Sequence, residues 1–186
     1  MSDYKTIHGT TVKSYTTDPD NPIEGQVWYD KTNKVLQYQI PNVTSAGAWR
    51  TGNNLNTARS GNAASVNGTQ TATITFGGTT PPHTAVTESY DGTSWTEVAD
   101  LNNARRDFAG AGTYTAALGF GGTPAPVGAT TESWGGSSWT EVADLNQARR
   151  AIMGSGTNTS ALGFGGYNPS PNYALTESWN SSSWTE

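Results

Sequence analysis

An aliphatic residue and a phenylalanine stand two positions apart at three places in the chain, and each pair predicts a strand with one apolar face. The segments are Thr73-Ile74-Thr75-Phe76, Ala117-Leu118-Gly119-Phe120 and Ala161-Leu162-Gly163-Phe164. Because side chains alternate between the two faces of a strand, both large apolar residues of each segment share one face. Two glycines follow each phenylalanine, where a positive φ or a close backbone approach favours glycine. We therefore predict three strands that end at Gly-Gly.

These strands belong to an internal repeat. Phe-Gly-Gly begins at residues 76, 120 and 164, a spacing of 44 residues each time, and Thr-Glu-Ser begins at residues 87, 131 and 176. A turn sequence such as Asp91-Gly92 then precedes a tryptophan, and a segment of small residues precedes each Phe-Gly-Gly strand. We predict four strands in each unit, with the small-residue strand innermost. The units cover about residues 55–98, 101–142 and 145–186.

Four-stranded units with this period fit the blades of an all-β propeller. Large apolar residues would fill the space between blades, and the recurring Trp95, Trp139 and Trp184 are predicted to be buried equivalents. A closed propeller needs about four to eight blades, so we expect the three units to be an incomplete part of a longer propeller. Completion by symmetry-related copies is the alternative, and the total blade number stays open.

Residues 1–48 have a different pattern, without Phe-Gly-Gly. Alternating residues over 27–30 and 35–38, joined by a turn-rich connection, predict a β-hairpin with aromatic residues on both arms. A hairpin is marginal alone in water, so we expect another chain to cover this segment. The candidate attachment residues are Ile23, Val27, Trp28, Tyr29, Leu36 and Tyr38.

The composition disfavours several classes of function. The net charge is −5, and no basic cluster exceeds an arginine doublet, which disfavours binding to nucleic acid. The chain has no cysteine and two histidines, so we predict no metal site, no cofactor and no catalytic residue. No apolar run approaches the length that spans a bilayer, and no signal peptide is visible at the amino terminus. Asp91-Gly92 is interpreted as a hairpin turn.

Charges that recur once in each unit have two interpretations. The arginines at 59, 105 and 149 and the glutamates at 88, 132 and 177 could form rings that bind an anion, or ion pairs that hold each unit together. The loops between Gly-Gly and Thr-Glu-Ser differ between units and share only proline, which stiffens a loop and lowers the entropy lost on binding. We expect these loops and the arginine-bearing segments to share one edge of the blades, here named the loop rim. Its candidate residues are Pro82, His83, Pro124, Pro126, Tyr167, Tyr173, Arg59, Arg105 and Arg149. Tolerated surface loops are the alternative.

The order of arginine, small residues, an apolar strand into Gly-Gly, an aromatic residue and tryptophan resembles the kelch repeat over residues 49–186. The segment 25–38, with Gly25, Trp28-Tyr29-Asp30, Asn33, Leu36 and Tyr38, resembles a module of tail fibres and other structural proteins of tailed bacteriophages. Together they make the chain similar to a virion structural protein of a tailed phage of the cyanophage type.

That resemblance implies a non-enzymatic virion component that is made in the host cytoplasm and is associated with the tail. Its partners would be other virion proteins or copies of itself, with a host glycan or protein as a further target. The alternatives are a propeller that binds or processes glycans, and a decoration protein of the capsid or neck. The sequence leaves open the docking site on the particle, the receptor and the oligomeric state.

Overall fold

The computed structural model describes residues 12–16, 26–38, 51–125 and 128–186, and those residues form strands, turns and loops without a helix. The chain divides into two compact units, Met1–Arg50 and Thr51–Glu186. The sequence places this boundary two residues earlier, between residues 48 and 49. Ile23 and Pro126 lie outside the described residues.

The first unit contains a three-stranded sheet formed by β1 (Lys13–Tyr15), β2 (Val27–Asp30) and β3 (Val35–Tyr38), in the order β1-β2-β3. Strands β2 and β3 form the predicted antiparallel hairpin, and β1, which the sequence did not predict, pairs with β2 in parallel. The hairpin turn is closed by Asp30, whose carboxylate accepts hydrogen bonds from the backbone of Thr32 and Asn33.

The second unit contains three four-stranded antiparallel sheets, which we number as blades in chain order. Blade 1 has β4 (Ala63–Ala64), β5 (Thr73–Phe76), β6 (Thr87–Tyr90) and β7 (Trp95–Val98). Blade 2 has β8 (Ala109–Thr113), β9 (Ala116–Phe120), β10 (Thr131–Trp134) and β11 (Trp139–Val142). Blade 3 has β12 (Met153–Gly156), β13 (Ala161–Phe164), β14 (Thr176–Trp179) and β15 (Trp184–Thr185). The blades confirm the predicted four strands for each repeat.

The small-residue strands lie where the blades approach most closely. Strand β8 contacts both β4 and β12, its counterparts in the neighbouring blades. A β-carbon added to Gly110 of β8 would lie 2.2 Å from the carbonyl oxygen of Ala64 in β4, so a larger residue would push these strands apart. The inner position that the sequence predicted for these strands is therefore the observed one.

Two apolar clusters fill the spaces between blades. The first joins Ile74 and Phe76 of blade 1 to Trp139 of blade 2, whose ring centroid lies 4.6 Å from that of Phe76. The second joins Phe120 of blade 2 to Trp184 of blade 3, with ring centroids 4.8 Å apart. We call the face of each blade that carries the phenylalanine its front face, and the face that carries the tryptophan its back face. The cores of the unit therefore lie between blades, front face against back face.

The prediction of three equivalent buried tryptophans is correct for two of them. Trp139 and Trp184 are 6 % and 5 % exposed, whereas Trp95 is half-buried. The indole N–H of Trp139 donates to Thr87 of blade 1, and that of Trp184 donates to Thr131 of blade 2. Among the described residues no blade lies behind Trp95, and its N–H donates to the backbone oxygen of Asn53 instead. Trp95 therefore occupies the position equivalent to Trp139 and Trp184, but its indole N–H contacts Asn53 and not a neighbouring blade.

Candidate functional site

The recurring arginines and glutamates form one ion pair in each blade. The nitrogen–oxygen distances are 2.6 Å for Arg59–Glu88, 3.2 Å for Arg105–Glu132 and 3.0 Å for Arg149–Glu177. All six side chains have no exposed surface. Because a buried charge is costly without a partner, each pair depends on both of its members. Of the two interpretations that the sequence left open for the recurring charges, the structure shows ion pairs within each unit.

Each glutamate also binds the linker that leads into its blade. The carboxylate of Glu132 accepts hydrogen bonds at 2.7 Å from the backbone N–H and at 2.8 Å from the side-chain amide of Asn102. Glu177 is bound in the same way by Asn146. The guanidinium of Arg105 donates further to the backbone oxygens of Thr130 and Gly119. The Arg–Glu pairs therefore fix the linker against the strands of the blade.

Burial shapes the electrostatics of these pairs. Desolvation lowers the pKa of Arg105 to about 10, and the nearby carboxylates of Glu132 and Asp144 oppose that shift. The pKa of Arg149 is lowered for the same reason, against the charge of Glu177. A pKa near 10 leaves Arg105 charged at neutral pH.

Burial also corrects the assignment of Arg59, Arg105 and Arg149 to the loop rim. Their guanidinium groups are enclosed and already paired, so they present no charge to an external ligand. Each of the three recurring arginines is instead paired inside its blade with the recurring glutamate.

The proline-containing loops do lie beside the segments that follow these arginines. Isolated backbone bridges join Ser60 to Thr79, Arg106 to Thr123 and Arg150 to Tyr167. These bridges place each loop beside the segment that leads into the first strand of its blade, as expected for a shared rim. The exposed members of the rim include Pro82 and Pro124, while His83, Tyr167 and Tyr173 are half-buried.

The loop of blade 3 presents the most distinct surface on this rim. The guanidinium carbon of Arg150 lies 4.7 Å above the centre of the Tyr167 ring, within the range of a cation–π contact. The hydroxyl of Tyr173 donates to the backbone oxygen of Asn168 and closes the same loop. A planar cation stacked on an aromatic ring, both partly exposed, is a surface suited to recognition.

Arg106 and Arg150, the second members of the arginine doublets, are rim residues that the sequence did not predict. They are half-buried rather than enclosed, and they lie beside the loops. The sequence does distinguish Arg106 and Arg150 from the arginines before them, because the equivalent position in blade 1 is Ser60. The position therefore varies between units, unlike the buried arginine before it.

The candidate attachment residues of the first unit divide between two faces of its sheet. Pairing in register puts Val27 opposite Tyr38, and Tyr29 opposite Leu36, so these four share a face. Val27, Leu36 and Tyr38 are 40 %, 56 % and 68 % exposed. Trp28 points to the other side and is 5 % exposed, so its assignment to the attachment surface is corrected. The surface that this sheet offers is the face of Val27, Tyr29, Leu36 and Tyr38, which we call the apolar sheet face.

The described residues hold no group of three or more histidine, aspartate or glutamate side chains that could bind a metal ion. The Asp91 carboxylate accepts hydrogen bonds from the backbone N–H groups of Thr93 and Ser94, which is the geometry of a hairpin turn. Within the same described ranges, no helix has the length and apolar character needed to cross a membrane.

The geometry defines an all-β protein with propeller-like blades held together by buried ion pairs. No family model matches the chain, and no curated protein does. Among solved structures, that of YjhT is similar, with a TM-score of 0.60 and 14 % sequence identity. The match covers 86 % of this chain and 50 % of YjhT, so this chain spans about half the length of that protein. At this identity the likeness supports the β-propeller-like fold alone.

Proposed function

We propose that this chain is a non-enzymatic structural component of the particle of a tailed bacteriophage. Residues 1–48 attach it to other virion proteins or to copies of itself, and the blades project outward as a tail-associated appendage. The loop rim then faces a host surface or a protein partner. The observation that carries the proposal is the apolar sheet face of the first unit.

That face has the properties of an attachment surface. Leu36 and Tyr38, two large apolar side chains, are more than half exposed on a sheet of three short strands. Burying such side chains against a partner is favourable by about 1.5–3 kcal/mol for each one that is fully covered. Aromatic residues are enriched in the centres of protein interfaces, and Tyr38 provides one with a polar end.

The blades support a structural role in a different way. Their recurring charges are used internally by the Arg–Glu pairs, and their recurring tryptophans fill the spaces between blades. The residues that vary between units lie on the rim loops, where recognition could differ without disturbing the scaffold.

Particle assembly tests the attachment. Phage that carry the Leu36→Asp and Tyr38→Asp double variant should contain at least about tenfold less of this protein after purification. The reason is that a carboxylate at each of these two positions opposes the burial of the apolar sheet face. The control is Lys31→Glu, an exposed charge change in the hairpin turn. Normal incorporation of the double variant would contradict the proposal. Electron microscopy of labelled particles separates a tail position from a capsid or neck position.

Glycan binding at the loop rim is the second candidate, favoured by the stacked Arg150 and Tyr167. In binding assays with host cells or their polysaccharides, Tyr167→Ala should reduce binding, while Thr123→Ala, at the equivalent position of blade 2, should not. Release of sugars from host polysaccharide by the purified protein would instead favour a glycan-processing function.

A further inference from the structure

The front face of blade 3 carries large apolar side chains that are buried in the other two blades. Leu162 and Phe164 are 45 % and 40 % exposed, and Met153 beside them is 64 % exposed. The equivalent Leu118 and Phe120 of blade 2 have no exposed surface. A groove lined by Ser155, Leu162 and Ser178 lies on the same face.

Blades 1 and 2 show what covers this position. Behind each buried phenylalanine lie the tryptophan of the next blade and a pair of glycines in register, Gly110 with Gly119 behind Phe76 and Gly154 with Gly163 behind Phe120. A β-carbon at Gly119 would lie 2.9 Å from the Phe76 ring, and one at Gly154 would lie 2.7 Å from the Phe120 ring. The phenylalanine therefore needs the glycine pair on the back face of its neighbour.

A hydrogen-bond acceptor on the front face of blade 3 is also exposed. The hydroxyls of Thr87 and Thr131 accept the indole N–H of the next tryptophan. Thr176 occupies the equivalent position at the start of β14, and it is exposed. The face therefore presents the same aliphatic, aromatic and hydroxyl groups that the two covered front faces present.

The described blades of a second copy do not offer the matching surface. The back faces of blades 2 and 3 are already covered, which leaves the back face of blade 1. There the in-register pair is Ala64 and Thr75 instead of two glycines, and Asn62 donates a hydrogen bond to the Thr75 hydroxyl at 2.7 Å. This back face has side chains where Phe164 would need space, and it is polar where blade 2 has Phe108.

We propose that the front face of blade 3 binds one further four-stranded blade, absent from these 186 residues, with a back face like those of blades 2 and 3. The back face of that blade carries an in-register glycine pair against Phe164 and a tryptophan that donates to Thr176. The front face of blade 3 consequently fits a blade with such a glycine pair and does not fit the back face of blade 1. The inference rests on packing alone and does not depend on the proposed function.

Thiol labelling of an extended chain tests the proposal. The protein has no native cysteine, so Met153→Cys places a single thiol on the exposed face, and its counterpart Ala109 shows that a small residue fits there. Glu186 aligns with Glu141, so a duplicate of residues 142–186 appended after Glu186 supplies a further blade with its glycine pair. The reaction of the introduced thiol with an uncharged thiol reagent should slow by at least about tenfold in the extended chain. Ser137→Cys, on an exposed hairpin of blade 2, should react at the same rate with and without the extension.

A matched extension tests the glycine pair. It carries Gly154→Ala and Gly163→Thr in the appended copy only, which reproduces the pair with which blade 1 already folds. The thiol of the Met153→Cys variant should remain as reactive in this chain as in the unextended one. Unchanged reactivity in the first extension would overturn the proposal, and equal protection in both extensions would overturn the role of the glycine pair. Labelling of the unextended chain that slows as protein concentration rises would show that a second copy covers the face, and would also overturn the proposal.

Discussion

Blades 2 and 3 have almost the same strands but different surroundings. Phe120 and Phe164 follow the same Ala-Leu-Gly sequence and occupy the same strand position, yet Phe120 has no exposed surface and Phe164 is 40 % exposed. The difference arises because blade 3 covers the front face of blade 2, while no described residue covers that of blade 3 in the same way. In a repeat protein much of the stability belongs to the interfaces between units. The same side chain can therefore be a core residue in one blade and a surface residue in the next.

The largest expected effect comes from removing these two phenylalanines separately. Phe120→Ala should lower the free energy of unfolding by about 3–5 kcal/mol, because it empties the cluster around Trp184. Phe164→Ala should cost less than about 1 kcal/mol, because its ring is already partly in water. Urea denaturation, monitored by tryptophan fluorescence, measures the free energy of unfolding of both variants. Equal costs would mean that the front face of blade 3 is covered in solution. In a chain extended by a further blade, the cost of Phe164→Ala should rise towards that of Phe120→Ala.

The Arg–Glu pairs should not distinguish the two blades, because they lie on the back faces, which are covered in both. Glu132→Gln leaves the charge of Arg105 buried without its partner and should cost about 2–3 kcal/mol. Glu177→Gln should cost a similar amount through Arg149. The exposed Glu141→Gln is the control and should change the free energy of unfolding by less than about 0.5 kcal/mol. If Glu177→Gln lowered the free energy of unfolding much less than Glu132→Gln, the packing of blade 2 against the back face of blade 3 would be looser than expected.

The sequence predicted the blades well because their signals are local and repeated. Leu118 and Phe120 are two residues apart, and Gly-Gly follows them, so the strand and its end could be identified without any tertiary information. The equivalence of Trp95 with Trp139 was also predictable, but its burial was not, because burial depends on the neighbouring blade. Strand β1 was missed because Lys13–Tyr15 has only three residues, and it pairs in parallel with a strand that begins twelve residues after β1 ends.

The candidate site was predicted less completely than the fold. Repetition identified Arg105 as important, but the sequence alone did not decide whether its partner is an external ligand or Glu132. Its neighbour Arg106 was not predicted as a rim residue, although Ser60 at the equivalent position of blade 1 shows that this position varies while the arginine before it does not. The bridge between Arg106 and Thr123 places it beside the loop.

The next prediction uses the threonine that accepts the indole N–H. Thr131→Val should cost about 1–2 kcal/mol, because it leaves the buried N–H of Trp184 without an acceptor while preserving the side-chain shape. Thr176→Val should cost less than about 0.5 kcal/mol, because that residue is exposed and its front face is open. Both values follow from urea denaturation. If the two costs proved equal, Thr176 would already accept a hydrogen bond that is important for stability. Addition of the further blade should raise the cost at Thr176 alone.

The smallest effect is expected at the outer hairpins, which are exposed in every blade and where a neighbouring blade should make no difference. In blade 1 the hairpin is closed by Asp91, and in blade 3 by Asn180, whose side-chain oxygen accepts hydrogen bonds from the backbone of Ser182 and Ser183. Hydrogen bonds from the backbone N–H groups of Ser94 and Thr93 lower the pKa of Asp91 from its ordinary value of 3.8.

Because the folded-state pKa of Asp91 is below the unfolded one, its carboxylate contributes stability that is present above pH 3.8 and is lost as the pH falls through the folded-state pKa. Asp91→Asn should therefore leave the urea midpoint unchanged at pH 7, since Asn180 closes the same turn, and should raise it slightly at about pH 2.5 relative to the unmodified protein. The reciprocal change, Asn180→Asp, should lower the midpoint at the acid pH only. A shift of the same size at both pH values would show that the substitution acts through the geometry of the turn and not through the ionisation of Asp91, and it would contradict this prediction.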